Sequence, residues 1–375
     1  MEKIRIGVIG NGMIGNQHLQ NYQKIQNAEV VALCDIDEKA LHQTGDRFNI
    51  KDRYTNIFEL LARDDVMAVD VCLHNNLHAP VTIAALKAGK DVYCEKPMAG
   101  SYADAKAMYQ AMLDTGRRLH IQIGTLYEPE TKAARRLIQQ GRLGRLYHLR
   151  SYGWRRRNRP YVDGYGTKEF VSKEVAGGGA LFDMGVYHIA QLLYLSDLPT
   201  LQRVVGATYA ELSMNETRRQ ISQFDVEELG CGFATYENNL TMDVLESWAV
   251  HMGEFPGSML MGDKGGIQLN PFRFYFTLDD LEMDAEIDLK GMEFRNHTVF
   301  SEQAVYDSSQ VHWIAALMGQ CELLPTARIA LETQLLQEGI YLAEQLGREV
   351  TADEIEAMSQ SRALEVPNLY PDSRG

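Results

Sequence analysis

The first residues able to do chemistry lie close to the start of the chain, in Gly10-Asn11-Gly12-Met13-Ile14-Gly15. An apolar run at 4–9 leads into them, an amphipathic stretch leaves them, and Asp35 closes the next apolar run twenty positions after Gly15. Glycine at these places permits a tight turn, lets bare backbone approach a pyrophosphate, and allows a helix to pack closely on a strand. The helix that opens at Met13 and Ile14 offers its N–H groups to the anion. Asp35 accepts hydrogen bonds from the adenine-ribose hydroxyls and repels a 2'-phosphate, so the expected cofactor is NAD and not NADP. The bland alternative is a solvated turn residue, since Asp37 follows closely.

Lys96 stands in Glu95-Lys96-Pro97, just past the apolar run 91–94. Doubly wound sheets place ligands at such strand ends, and Pro97 stiffens the turn. An ammonium there can hydrogen-bond a substrate hydroxyl, stabilise the developing alkoxide and help take its proton if partial burial lowers its pKa. The alternative is a surface lysine in a turn. Further on, Asp183, Tyr187 and His188 follow Gly177-Gly178-Gly179. One helix over 179–195 is expected to carry them, with Tyr187 directly above Asp183 and His188 on a neighbouring face. The basic stretch 154–166 offers Arg forks and aromatic faces to hydroxyls, a carboxylate, a phosphate or a sulfonate. Arg156 and Tyr161 are its expected substrate contacts; the competing reading pairs its arginines with acidic groups across a subunit interface. Trp248 and His251 are further lining candidates, and no metal-ligand set is expected.

The elements that must position these groups change character midway. Apolar runs at 4–9, 29–34, 66–73, 91–94 and 119–123 alternate with helix-length segments, which predicts a doubly wound α/β domain of Rossmann type over 1–124. A helix at 130–140 and a strand at 146–152 come next, then the helix at 179–195. The runs 204–212, 227–236, 240–250, 259–261, 267–270 and 273–278 predict an antiparallel sheet in an α+β domain over 125–375. Closing helices at 310–318 and 327–346 are expected to pack back on the body, and a tail containing Pro367 and Pro371 to be extended.

Composition bounds the rest. The chain has 375 residues, 45% hydrophobic and 23% charged, which fits two globular domains. A formal charge of -14 argues against nucleic-acid and anionic-membrane partners. Five cysteines without CxxC spacing point to a reduced, cytoplasmic protein with no cysteine-based zinc site. No apolar run approaches the roughly 18 residues of a membrane span, and a strand beginning at Ile4 leaves no room for a signal peptide.

Together the glycine loop with His18 behind it, Asn75-Asn76-Leu77-His78, Glu95-Lys96-Pro97 and the segment 177–188 resemble the glucose-fructose oxidoreductase, inositol dehydrogenase and rhizopine-catabolism (Gfo/Idh/MocA) family. The resemblance implies an N-terminal Rossmann domain, a C-terminal domain with an open, largely antiparallel sheet that makes a homodimer or homotetramer, and a carbohydrate pocket at the nicotinamide end. It implies that Asn75, His78 and Glu95 serve the cofactor, and that Lys96, Asp183 and Tyr187 or His188 surround the reacting carbinol. Many members carry histidine where Tyr187 stands, so the proton acceptor is either Tyr187 or His188. Two departures are visible: Leu73-His74 replaces a common Thr-Pro, and Leu126 stands where many members have arginine. The implied function is NAD-dependent hydride abstraction from a secondary alcohol of a sugar, glycoside or cyclitol. One alternative is a redox-neutral glycosidase that oxidises, eliminates, hydrates and reduces again. Another is a non-catalytic sugar or NAD sensor, against which Lys96 and Asp183 argue.

Overall fold

The computed structural model describes residues 3–253 and 256–366, and the expected tail with Pro367 and Pro371 lies outside the described residues. The chain divides into two compact units, one made of residues up to 122, 308–328 and those from 361, the other of 123–307 and 329–360.

In the first unit β1 (Ile4–Ile9), β2 (Ala28–Cys34), β3 (Asp52–Tyr54), β4 (Ala68–Val71), β5 (Asp91–Cys94) and β6 (Leu119–Ile121) form one sheet in the order β3-β2-β1-β4-β5-β6. Every pairing is parallel. All four residues of β4 are buried, as a strand covered by helices on both faces requires. Within this sheet β3 alone is unanticipated, because Asp52-Arg53-Tyr54 is short and polar. Strand order reverses between β1 and β4, the switch point at which such sheets bind ligands. The core of this unit takes in Trp313 and Ile314 beside Ile4, Ile6, Val8 and Tyr93. Helix Ser309–Leu317 thus belongs to the first unit, whereas a contiguous division of the sequence after 124 assigns it to the second.

The second unit holds a nine-stranded sheet of β7 (Leu146–Trp154), β8 (Leu201–Tyr209), β9 (Leu229–Tyr236), β10 (Thr241–Ser247), β11 (Met259–Gly262), β12 (Gly266–Gln268), β13 (Arg273–Leu278), β14 (Leu281–Glu286) and β15 (Val350–Thr351). Its order is β14-β13-β12-β11-β7-β10-β9-β8-β15. Only β7 and β10 pair in parallel; the other pairings are antiparallel. Helix Thr326–Leu346 covers one face closely, with Ile340 where side chains on Gly206 and Gly232 would otherwise stand. No helix among the described residues is long and apolar enough to cross a membrane.

The single helix expected over 179–195 is two. Ala180–Asp183 ends at Met184, and Gly185–Leu195 begins after it. In an unbroken helix the carbonyl of Leu181 would accept from residue 185, but it accepts from Gln337 Nε2 at 2.7 Å. Tyr187 N–H bonds Met184 O, three residues back, at 3.0 Å. Asp183 therefore lies in one helix, and Tyr187 and His188 in the next.

Candidate functional site

The glycine loop leaves β1 as its residues demand. Gly10 has φ +95°, and a Cβ there would come within 2.3 Å of Cys72 O. A Cβ on Gly15 would come within 2.0 Å of Gly10 O. Gly12, the N-cap of helix Met13–Tyr22, faces open space, with no acidic residue in the first turn. Asp35 is tied to this loop, its Oδ2 accepting from Asn11 N at 2.6 Å and its Oδ1 from Asp37 N at 2.9 Å. Each oxygen keeps acceptor capacity for a further donor. The Asn11 side chain is only 2% exposed, yet neither its amide nitrogen nor its oxygen has a partner within the protein. A buried, unsatisfied amide beside an open helix N-terminus fits a dinucleotide that supplies the missing partners.

Lys96 is half-buried in a turn braced from two sides. Glu95 Oε2 accepts from Lys96 N at 3.0 Å, and Glu95 Oε1 lies 2.9 Å from His18 Nε2. His18 Nδ1 is 2.9 Å from Asp70 Oδ2. Burial works to lower the His18 pKa, but the charge of Asp70 overcomes it and holds the ring well above the ordinary imidazole value. Burial pushes Glu95 upward, and His18 more than offsets that, so its carboxyl titrates below the usual range. An imidazolium between two carboxylates thus sits beneath the turn. On the other side His78, fully buried, places Nδ1 2.8 Å from Pro97 O and Nε2 2.9 Å from Leu73 O. Burial lowers its pKa. Both ring nitrogens face backbone carbonyls, and the neutral ring donates its one N–H to one of them, so His78 links two loops. Asn75 begins helix Asn75–Lys87 and is half-buried.

In the second unit the glycine turn before Asp183 is clamped by Glu227. This buried carboxylate accepts from Gly179 N and Leu181 N, each at 2.9 Å, and from Tyr341 Oη at 2.8 Å. Asp183 Oδ2 accepts from Trp248 Nε1 at 2.9 Å, and Trp248 is wholly buried. His188 Nδ1 lies 2.9 Å from Glu246 Oε2, while Glu246 Oε1 accepts from Ser151 Oγ at 2.8 Å. Burial lowers the His188 pKa, but Glu246 outweighs it by charge and hydrogen bond, Glu128 adds to the rise, Arg155 opposes it, and the net shift is upward. The Tyr187 carbonyl accepts from Thr125 Oγ1 at 3.0 Å.

Sequence reasoning missed Glu227 and Glu246 and read Trp248 only as lining. A signal for Glu246 was present: the inward places of β10 are Met242, Val244 and Glu246, a carboxylate in an apolar register.

The basic stretch is mostly tied to its own neighbours. Arg159 is fully buried, 2.8 Å from Asp163 and 2.7 Å from Glu228, and Arg157 lies 3.7 Å from Asp163. Arg156 is exposed and lines a cavity of about 500 Å³ with Tyr152, Trp154 and Asn270. Tyr161 has φ +58° and packs on the cluster of Met184 and Trp248, with the Arg218 guanidinium 4.5 Å from its ring centroid. His251 is exposed.

Residues 4–123 match the model of an oxidoreductase family with an NAD-binding Rossmann fold, and residues 131–268 match the C-terminal domain of the same family. The chain is similar to D-glucoside 3-dehydrogenase of Escherichia coli K12, 26% identical over 332 residues that cover 84% of this chain and 93% of that protein. It is also 26% identical to D-apiose dehydrogenase of Paraburkholderia graminis, over 95% of this chain and 92% of the relative. A solved levoglucosan dehydrogenase, in complex with NADH and levoglucosan, shares the fold with a TM-score of 0.78 at 18% identity, over 94% of this chain and all of that one. Both halves of the chain match one family's models in chain order, its nucleotide loop has the fit of an NAD site, and so the chain belongs to the Gfo/Idh/MocA family of NAD-binding oxidoreductases.

Proposed function

We propose that the protein oxidises a secondary alcohol of a sugar, glycoside or cyclitol. One observation carries the reading: within the first unit, the dinucleotide loop after β1 and the braced Lys96 after β5 leave the same C-terminal edge of one parallel sheet. The relatives named for a glucoside and for apiose support the substrate class. NAD, held by Gly10, Gly12, Met13, Ile14, Gly15, Asp35 and Asn75, supplies the hydride acceptor. Lys96 hydrogen-bonds the hydroxyl and stabilises the oxygen as negative charge develops. Asp183, fixed by Trp248, orients the substrate by accepting from a second hydroxyl, and Tyr187 or His188 exchanges the proton. Arg156 and Tyr161 are secondary contacts, Arg156 suited to an anionic substituent. The second unit, 123–307 and 329–360, is the substrate-binding part of this reading.

A panel of sugars, glycosides and cyclitols with NAD tests the proposal through NADH formation. Nitrophenyl glycosides with catalytic NAD form the contrasting arm, in which aglycone release without NADH accumulation would replace the dehydrogenase by the redox-neutral glycosidase. We further propose a homo-oligomer through the uncovered face of the second unit's sheet, where Val205, Tyr209 and Phe233 are exposed. Light scattering of Phe233→Asp against the unsubstituted protein tests that arrangement. A cytoplasmic location also fits this reading and is checked by fractionating cells.

A further inference from the structure

Strand β10 does more in this unit than complete a sheet. Its inward face carries Glu246, wholly buried, and Trp248 stands two residues on. The first holds His188 and the second holds Asp183. Glu246 is the last inward residue of β10 and Trp248 follows just past its end, so one short segment fixes both polar groups on the two helices. The neighbouring strand is shaped to allow it. Gly153 of β7 pairs with Glu246, and a Cβ at Gly153 would fall 2.0 Å from His188 Cε1 and 2.6 Å from Glu246 Oε2. Any other residue there would push ring and carboxylate apart. Ser151, two residues before Gly153, donates to the other carboxylate oxygen and so fixes its rotation. The His188 side chain keeps 28% of its surface exposed while its partner carboxylate keeps none.

From this geometry we propose that Glu246 is a positioning residue that holds the Nδ1–H of His188 and thereby makes His188 Nε2, not Tyr187, the proton-exchanging group of the second unit. The proposal rests on the oxidoreductase reading above. A carboxylate on Nδ1 selects one tautomer, fixes the ring plane and stabilises the imidazolium, as in other carboxylate–histidine pairs. In the oxidation the substrate O–H bond breaks and an Nε2–H bond forms, while the hydride of the same carbon goes to the cofactor. The Nδ1–H stays on the ring throughout, and reduction runs the proton back. The charged groups facing His188 are Glu246 from β10, Glu128 ahead of helix Pro129–Gln139, and Arg155 just past β7. Two anions against one cation favour the protonated ring, so the acid limb of kcat/KM for oxidation lies above the ordinary histidine range.

The test uses full-length protein with 15N-labelled histidine, the His188 signal being assigned with His188→Asn. The expected result is an Nδ1–H tautomer in the neutral ring and a midpoint above the ordinary value, about 6.5. Glu246→Gln keeps a hydrogen-bonding group of the same shape without the charge. It should lower that midpoint by about one unit or more and move the acid limb of kcat/KM down with it, with kcat falling and KM little changed. An Nε2–H tautomer, or a midpoint that Glu246→Gln leaves in place, overturns the dyad. A midpoint that moves without the acid limb overturns the catalytic assignment while the dehydrogenase reading stands. Absence of all sugar oxidation with an intact NMR titration sinks that reading and not the pairing. Should Glu246→Gln fail to fold, the tautomer and midpoint of the unsubstituted protein, with Glu246→Asp as the charge-preserving variant, still decide: an ordinary midpoint in both refutes the proposal.

Discussion

His18 and His188 meet the same kind of partner in different ways. Each lies against a buried carboxylate, and in each the carboxylate raises the ring pKa against the pull of burial. His18 has both nitrogens bound, one to Asp70 and one to Glu95, and is almost entirely buried. His188 has its Nδ1 bound to Glu246 and keeps part of its surface open. A saturated imidazolium can only hold things together, whereas a half-bound one can exchange a proton. The raised pKa is common to both, so what separates brace from reagent is the number of ring nitrogens that the fold itself consumes.

The largest expected effect follows from removing the saturated ring. His18→Ala leaves Asp70 and Glu95 buried without their cation, a loss of about 3–5 kcal/mol of folding stability, measured by denaturant unfolding. A loss under about 1 kcal/mol would break the comparison at its first term. Because the folded pKa of His18 is raised, its stabilising contribution is complete below the unfolded value and disappears as pH climbs through the folded one. The melting temperature of the unsubstituted protein should therefore fall on the alkaline side of about 6.5, and that part of the fall should be missing in His18→Gln.

Next in size is Lys96→Ala, expected to reduce turnover by at least about a hundredfold with NAD affinity nearly unchanged, as calorimetry and steady-state rates can show. Survival of turnover within a few-fold makes the lysine structural. His188→Asn should then cost more turnover than Tyr187→Phe while disturbing melting far less than His18→Ala, which sets the half-bound ring directly against the saturated one. Equal losses in the two variants would return Tyr187 to the chemistry.

The smallest effect concerns Asp35, a carboxylate with both oxygens on backbone donors and capacity left over. NAD should bind at least about tenfold more tightly than NADP, some 1.4 kcal/mol, and Asp35→Ala should narrow the gap. NADP binding as tight as NAD in the unsubstituted protein would take Asp35 off the ribose.

How much of this was legible in the sequence depended on the range of the signal. The nucleotide loop is local, with each glycine required by its neighbours, and β1 and β5 were placed to the residue. The α/β and antiparallel halves showed in hydrophobic rhythm. Chain-distant pairings were invisible: Gln337 donates to Leu181 O, 156 residues away, and the buried carboxylate of Glu246, though marked by its register, meets His188 across 58. β14 was missed although Leu281, Met283 and Ala285 alternate with Glu282, Asp284 and Glu286, because that period-two signal is short and five of the six residues stay exposed. The surroundings of His78 were invisible for a related reason, since only the fold brings Pro97 O and Leu73 O to its two ring nitrogens.

The division of the chain also has a consequence for biosynthesis. The first unit draws on residues before 123, on 308–328 and on those after 360. Ser361 Oγ and Arg362 N both bind Asp104, and Leu364 N binds Asn76 O. A ribosome delivering the chain from its N-terminus releases the six parallel strands long before the helix that supplies Trp313 and Ile314 to their core. Until that helix emerges, Tyr93 and His120 lack the indole they pack against. The nascent nucleotide-binding half must wait, with part of its apolar interior uncovered, through the synthesis of about half the protein. That interval is where a chaperone has most to shield.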